Sequence, residues 1–216
     1  MAKIKLLPSA HPSAWQADCA QISDELASPI FERDRHCCRF CSCFSLSGNQ
    51  IYFLDSDRGN LNEDNLATAC ILCCAVQNLQ RPEAELEVLP IWLPELAQRA
   101  LNKMIRGIHI LRVRNQLPAP ADVSPRFDSP VARTTSAAFL AFAQRAVDLR
   151  KETGVRTPAE FAELFLRSDP RSGRCPETLA VGLRFLHRGR YFVAGKDIYG
   201  ELLKEDLAAL GESRAA

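Results

Sequence analysis

Seven cysteines, Cys37, Cys38, Cys41, Cys43, Cys70, Cys73 and Cys74, fall within 38 consecutive residues of a 216-residue chain. Two more, Cys19 and Cys175, lie far from that window. The first fifteen residues hold two lysines and no apolar core, so no signal peptide is expected. In the reducing compartment this implies, clustered thiols favour a metal over disulfides. One spacing repeats. Cys38-Arg39-Phe40-Cys41 and Cys70-Ile71-Leu72-Cys73 are both C-x-x-C, with 28 residues between them. A two-residue spacer lets both sulfurs of a pair face one ion, and two pairs supply the four thiolates of a tetrahedral Zn²⁺. The expected ligands are therefore Cys38, Cys41, Cys70 and Cys73. Cys37, Cys43 and Cys74 are neighbours that can replace one of them, and His36 reads as a surface residue. Four thiolates fill the coordination shell, which makes such a zinc structural and leaves no site for a bound water. The competing readings are buried thiols packed as small apolar residues, a disulfide framework, and redox chemistry at one C-x-x-C pair. No βαβ pattern surrounds either pair, which speaks against the last.

Apolar residues make up 47% of the chain and charged residues 25%. That content supports a core and excludes a mostly disordered chain. The longest unbroken apolar run, Ala137 to Ala143, is far too short to span a membrane. The formal net charge is +1, so no global field draws in nucleic acid.

Three parts follow along the chain. Residues 1–36 are a lead-in, with Lys3 to Leu7 as an edge strand and Ser28-Pro29 opening a brief helix. Residues 37–90 carry the cysteines and turn-prone stretches. From Leu93 the period becomes helical. Leu93, Ala97, Leu101, Met104, Ile108 and Leu111 form one apolar stripe, with Arg99, Lys103, Arg106 and Arg114 opposite. Residues 115–135, with four prolines, read as a linker. Phe139, Phe142, Ala146 and Leu149 form a further stripe. Thr157-Pro158-Ala159-Glu160 has the form of a capping box. A helix is expected from Pro176 through Leu179, Leu183 and Leu186 to Gly189, and another from Asp197 to Leu210. In outline this is an α+β chain of two domains: a zinc module with its lead-in over residues 1–90, then a mainly α-helical region over residues 91–216.

The cysteine window resembles the HNH endonuclease module. The matching segments are Ile30-Phe31-Glu32-Arg33-Asp34 before the first C-x-x-C, Ile51-Tyr52-Phe53-Leu54-Asp55-Ser56-Asp57, Glu63-Asp64-Asn65-Leu66, and the second C-x-x-C. That resemblance implies a zinc-stapled ββα unit of treble-clef type over residues 30–78. The nuclease chemistry needs a histidine base and ligands for a divalent ion. Tyr52 and Phe53 stand at the family's paired histidines, and Cys74 at the histidine after the last C-x-x-C. Of those functional positions only Asn65 matches, and an Asn cannot abstract a proton. Asp55 and Asp57 also persist, in a role that turn formation alone explains. The resemblance therefore implies the scaffold without the catalysis.

With Ile91-Trp92-Leu93-Pro94-Glu95-Leu96 read as a helix opening, and a helical second half, the chain further resembles the IcmJ/DotN family. Members of that family belong to the coupling complex of type IVB (Dot/Icm) secretion systems. The resemblance implies a cytoplasmic, non-enzymatic adaptor, peripheral to the bacterial inner membrane. It implies binding to the C-terminal extension of a DotL-type coupling ATPase and to other coupling-complex subunits, in support of effector recruitment. The alternatives are a divergent metal-dependent HNH nuclease and a DNA-binding zinc module. The partner-binding surface is left open: any apolar stripe can be a groove, although core packing is the ordinary role. The basic runs, Arg99 to Arg114 and Arg184 to Lys196, read first as solvated faces and second as a surface for an acidic partner.

Overall fold

The computed structural model describes residues 4, 6–10, 22–55, 57, 59–120, 129–171 and 173–212, without the side chains of Leu210 and Glu212. The architecture is α+β. Short antiparallel hairpins are wrapped by helices, and the described residues hold three two-stranded sheets. No helix among them is long and apolar enough to cross a membrane.

Helix α1 (Asp24–Arg33) leads into the cysteine region, where β1 (Asn49–Phe53) pairs with β2 (Leu66–Cys70). The register runs from Asn49 opposite Cys70 to Phe53 opposite Leu66. Ala27 and Ile30 of α1 pack on Ile51, Phe53 and Leu66. That burial carries the helix through Pro29, which lies inside it instead of opening it; the helix starts after Ser23. Behind it, Asp34 takes the amide of Thr68 at 2.9 Å and the guanidinium of Arg33 at 3.0 Å. Burial opposes ionisation of Asp34, but the hydrogen bonds from Arg33 and Thr68 outweigh it and hold the carboxyl below its usual range.

Helix α2 (Ile71–Gln77) follows β2 directly, then α3 (Ala84–Glu87) and β3 (Val88–Trp92). Beyond it come α4 (Gln98–Arg114), α5 (Pro130–Ala143), α6 (Arg145–Thr153), α7 (Pro158–Ser168), α8 (Glu177–Ala180), β4 (Leu183–His187), β5 (Phe192–Val193), β6 (Lys196–Asp197) and α9 (Tyr199–Glu212). The hairpin of β3 and β4 sits at the centre, with Pro90 opposite Phe185. Leu183 and Phe185 face a core with Val88, Phe161 and Phe165. Ile91 and Leu186 face another, with Leu101, Ile105 and Phe139.

Several sequence expectations change. Ile4, Leu6 and Leu7 form no strand; Lys3 and Lys5 lie outside the described residues, and the pairing nearby is a single bridge from Ser9 to Arg174. Ile91 and Trp92 belong to β3, not to a helix opening. Leu93 precedes Pro94, which disfavours α-helical backbone there, and α4 starts only at Gln98. The expected helix from Pro176 to Gly189 is a single turn followed by β4. The region expected as a linker already enters α5 at Pro130, while residues 121–128 lie outside the described residues. The stripe from Phe139 to Leu149 spans two helices that meet at Gln144. The capping box forms: the amide of Glu160 donates to Thr157 Oγ1, and Glu160 Oε2 accepts from the amide of Thr157. The last helix begins at Tyr199, two residues later than expected.

Helix α4 departs furthest from its pattern. Met104 and Leu111 of the expected stripe are about half exposed, while Gln98, Asn102, Arg106, His109 and Arg112 are buried. Arg106 donates to Asp206 of α9 at 2.7 Å and to the carbonyl of Phe44 at 3.0 Å. Asp206 also takes Ser45 Oγ at 2.6 Å and the amide of Leu46 at 2.8 Å. Arg112 donates to the carbonyl of Pro118 and to the hydroxyls of Thr135 and Ser136. Arg106 and Asp206 thus tie α4, α9 and the cysteine loop together. Replacing Asp206 by alanine leaves a buried guanidinium without its counter-ion, so urea unfolding should show a loss of about 3–5 kcal/mol. Breaking the exposed pair of Arg167 and Glu163 should change stability by under about 0.5 kcal/mol.

Candidate metal centre

The two C-x-x-C pairs arrive from different elements. Cys38 and Cys41 flank a turn after α1, closed by the amide of Ser42 on the carbonyl of Cys38 at 2.7 Å and the amide of Cys38 on the carbonyl of Cys43 at 2.9 Å. Ser42 takes a positive φ of 61° to make that turn. Cys70 is the last residue of β2 and caps α2, and Cys73 lies one helical turn on. Residues three apart on a helix share a face, so both sulfurs point the same way.

The structure brings Cys38, Cys41, Cys70 and Cys73 together, all buried, with every sulfur within 4.8 Å of the others. The sulfurs of Cys41 and Cys70 are 3.6 Å apart. A tetrahedral ion with metal–sulfur bonds of about 2.3 Å needs sulfur–sulfur edges of about 3.8 Å, so the cluster can hold a metal ion. None of the described cysteines is in a disulfide. Of the neighbours, Cys74 is buried in the next turn position of α2, and Cys37 and Cys43 are half-buried at the rim. None of them joins the four-sulfur group. His36 is held half-buried between the rings of Phe31 and Phe44 instead of lying on the surface. Cys19 lies outside the described residues.

The electrostatics of the cluster follow from its burial. Burial pushes the Cys73 thiol well up, and the neighbouring Cys38 adds to that shift. Cys38 is held well down despite its burial, because Cys41, Cys70 and Cys73 hydrogen-bond its sulfur. A bound cation changes this balance by neutralising the thiolates directly.

The sequence did not reveal the residues behind the sulfurs. Asn102 of α4 donates from Nδ2 to the Cys73 sulfur at 3.3 Å. Gln98, one turn earlier, donates to Asn102 Oδ1 at 2.8 Å. The same amide exchanges two hydrogen bonds with the backbone of Phe185 in β4, both 2.8 Å. A chain of amides therefore runs from the central hairpin to a cluster sulfur and fixes its orientation. Its only sequence trace is a pair of amide side chains four apart on a helix.

The side chains that the resemblance to the HNH module sets at its nuclease positions do structural work here. Phe53 packs in the core with Ile30 and Leu66. Tyr52 is buried edge-on against Phe40, and burial, with a smaller effect of Cys74, pushes its hydroxyl up to about 12. That hydroxyl stays protonated at neutral pH and is no general base. Asn65 braces the loop after β1. Its Oδ1 accepts from the amide of Asp55 at 2.9 Å, and its Nδ2 donates to the carbonyl of Asn60 at 2.8 Å. Asp55 takes Asn60 Nδ2 and the amide of Asp57, as a turn-forming aspartate does.

Serine at Cys38 or Cys73 should abolish metal binding and lower the melting temperature, read by elemental analysis and thermal unfolding. Serine at Cys43 should leave both near the parent. Asn102→Ala should retain the metal but lower its affinity about tenfold, read by competition with a chelator. Equal affinity would mean that the amide chain does not support the site.

No family model matches the chain. Among curated proteins, it is similar to the type 4 apparatus protein DotN of Legionella pneumophila. The two are 28% identical over 193 residues, which cover 85% of this chain and 83% of that protein.

Proposed function

We propose that this protein is a non-enzymatic adaptor of a type IVB secretion coupling complex, in the manner of the IcmJ/DotN family. The observation that carries the reading is the extent of the likeness to DotN: it takes in 85% of the chain, far more than the cysteine window. In this reading Cys38, Cys41, Cys70 and Cys73 hold a structural zinc in an HNH-like, treble-clef module over residues 1–90. Residues 91–216 form the second part. The partner is the C-terminal extension of a DotL-type coupling ATPase, alongside other coupling-complex subunits. The protein sits on the cytoplasmic side of the inner membrane through that complex and helps to recruit effectors.

The chemistry of the chain supports a binding role. Four sulfurs saturate a tetrahedral ion, so a zinc held there offers no site for an activated water. The residues at the nuclease histidine positions are a buried phenylalanine and a buried, protonated tyrosine. Nothing at those positions can take a proton from an attacking water.

The test is co-purification of the full chain with the coupling ATPase of the same host, together with incubation with plasmid DNA and Mg²⁺ or Mn²⁺. The adaptor reading expects a stable complex and intact plasmid. Plasmid cleavage that disappears in Asn65→Ala, with no complex formed, would replace it with the nuclease reading.

A further inference from the structure

Arg184 reads from the sequence as part of a solvated basic run, yet in β4 it is only 9% exposed. Its guanidinium donates to the backbone carbonyls of Leu96, Ala180, Val181 and Leu183, the last three at 2.8, 3.0 and 2.8 Å. A guanidinium has five N–H groups, so these bonds leave one. Carbonyls satisfy direction but bring no negative charge. No carboxylate lies within ion-pair distance of Arg184 among the described residues. Glu95 acts on it only from a distance and is paired with Arg145 instead. Burial lowers the pKa of Arg184 from the ordinary guanidinium value. Buried cations are ordinarily paired, because desolvating one without a counter-ion is costly.

Arg184 lines a cavity of about 540 Å³, within the range of about 300–1,000 Å³ that small-ligand sites occupy. Its walls are mostly apolar, with Ile4, Leu6 and Leu7 on one side and Ala180, Val181 and Leu183 on the other. The first wall is fixed from both ends. Leu6 belongs to the core that holds the four cysteines, and Ile4 packs on that core. Beyond Leu7, the carbonyl of Pro8 accepts from the amide of Cys175 at 2.9 Å, and the amide of Ser9 donates to the carbonyl of Val76 at 3.2 Å. Val181 marks the mouth, at 64% exposed. A second cation, Arg99, stands at the same cavity, exposed and without an ion pair among the described residues. It lies in the first turn of α4, where the helix dipole disfavours a cation. Glu177 supplies the lining's single carboxylate, exposed at the start of α8.

We infer that this cavity binds a small carboxylate with an aliphatic body, of the medium-chain fatty-acid type. The apolar walls take the chain, and burying it supplies most of the affinity. The carboxylate supplies the counter-ion that Arg184 lacks and accepts its remaining N–H, with Arg99 adding charge at the mouth. Two cations against one exposed carboxylate set the sign of the ligand. The ligand is independent of the partner proposed above, and either can hold without the other.

Isothermal titration of the full chain with octanoate, butanoate, 1-octanol and octylamine tests it. Octanoate should bind at a single site per chain. Butanoate should bind at least about tenfold more weakly, because it leaves the apolar walls uncovered. Octanol should also bind at least about tenfold more weakly, because it brings no charge, and octylamine should not bind. Replacing Arg184 would leave four carbonyls unpaired and damage the fold, so the variants lie at the exposed mouth. Arg99→Glu and Val181→Asp should each weaken octanoate at least about fivefold and leave octanol within about twofold. Both should melt close to the parent, which separates a reversed charge from a damaged fold. Arg167→Glu, an exposed change on α7, should bind octanoate as the parent does. Octanol as tight as octanoate would overturn the anion, and butanoate as tight as octanoate would overturn the apolar cavity. Octanoate binding unchanged in both mouth variants would place its site elsewhere and overturn the inference, as would no binding by octanoate.

Discussion

Thiols enclosed in a protein interior cannot all ionise unless a cation sits among them, because each added negative charge meets its neighbours in a medium that screens poorly. That constraint shapes the fold around Cys38, Cys41, Cys70 and Cys73. Cys73 is pushed well up by burial, so the deprotonated cluster carries a large cost until a metal neutralises it. Structural zinc sites release about 10–16 kcal/mol on binding, as much as the whole stability of an ordinary domain. A metal held by these four sulfurs thus has enough binding energy to decide whether the turn after α1, the β1–β2 hairpin and α2 stay together.

The cluster is braced from outside its own segment. Helix α4 lies between it and the central β3–β4 hairpin and turns a polar face inward. Asn102 reaches a sulfur, Gln98 reaches the backbone of β4, and Arg106 reaches Asp206 on α9. Each of these groups is buried and hydrogen-bonded, which is what makes a polar helix face tolerable in an interior. The apolar residues expected on that inward face are partly displaced to solvent as a result. Met104 and Leu111 are exposed because Asn102, Arg106 and His109 occupy the inside.

What the sequence made legible was local. The repeated two-residue spacing picks out the four cysteines that converge, since both sulfurs of a C-x-x-C pair are placed by one turn or one helix face. Thr157 and Glu160 announce their helix because a capping box involves only residues three apart. What it hid was long-range. Leu179, Leu183 and Leu186 fit a helical period, yet residues 183–187 become a strand because Val88–Trp92, some ninety residues earlier, offers a partner. Arg106 reads as a solvated cation until Asp206, 100 residues later, folds back onto it. Asn102 carries no local mark of its sulfur contact, for its partner lies 29 residues away. Edges of elements moved for smaller reasons. Pro94 delayed α4, and the burial of Ala27 and Ile30 carried α1 through Pro29.

A metal ion saturated by four sulfurs would hold the cysteine region together. X-ray absorption at the metal edge, on protein purified without added metal, reads the first coordination shell directly. The expected result is one zinc per chain with four sulfurs at about 2.3 Å and no lighter ligand. A first shell containing nitrogen or oxygen, or a protein folded without stoichiometric metal, would contradict it.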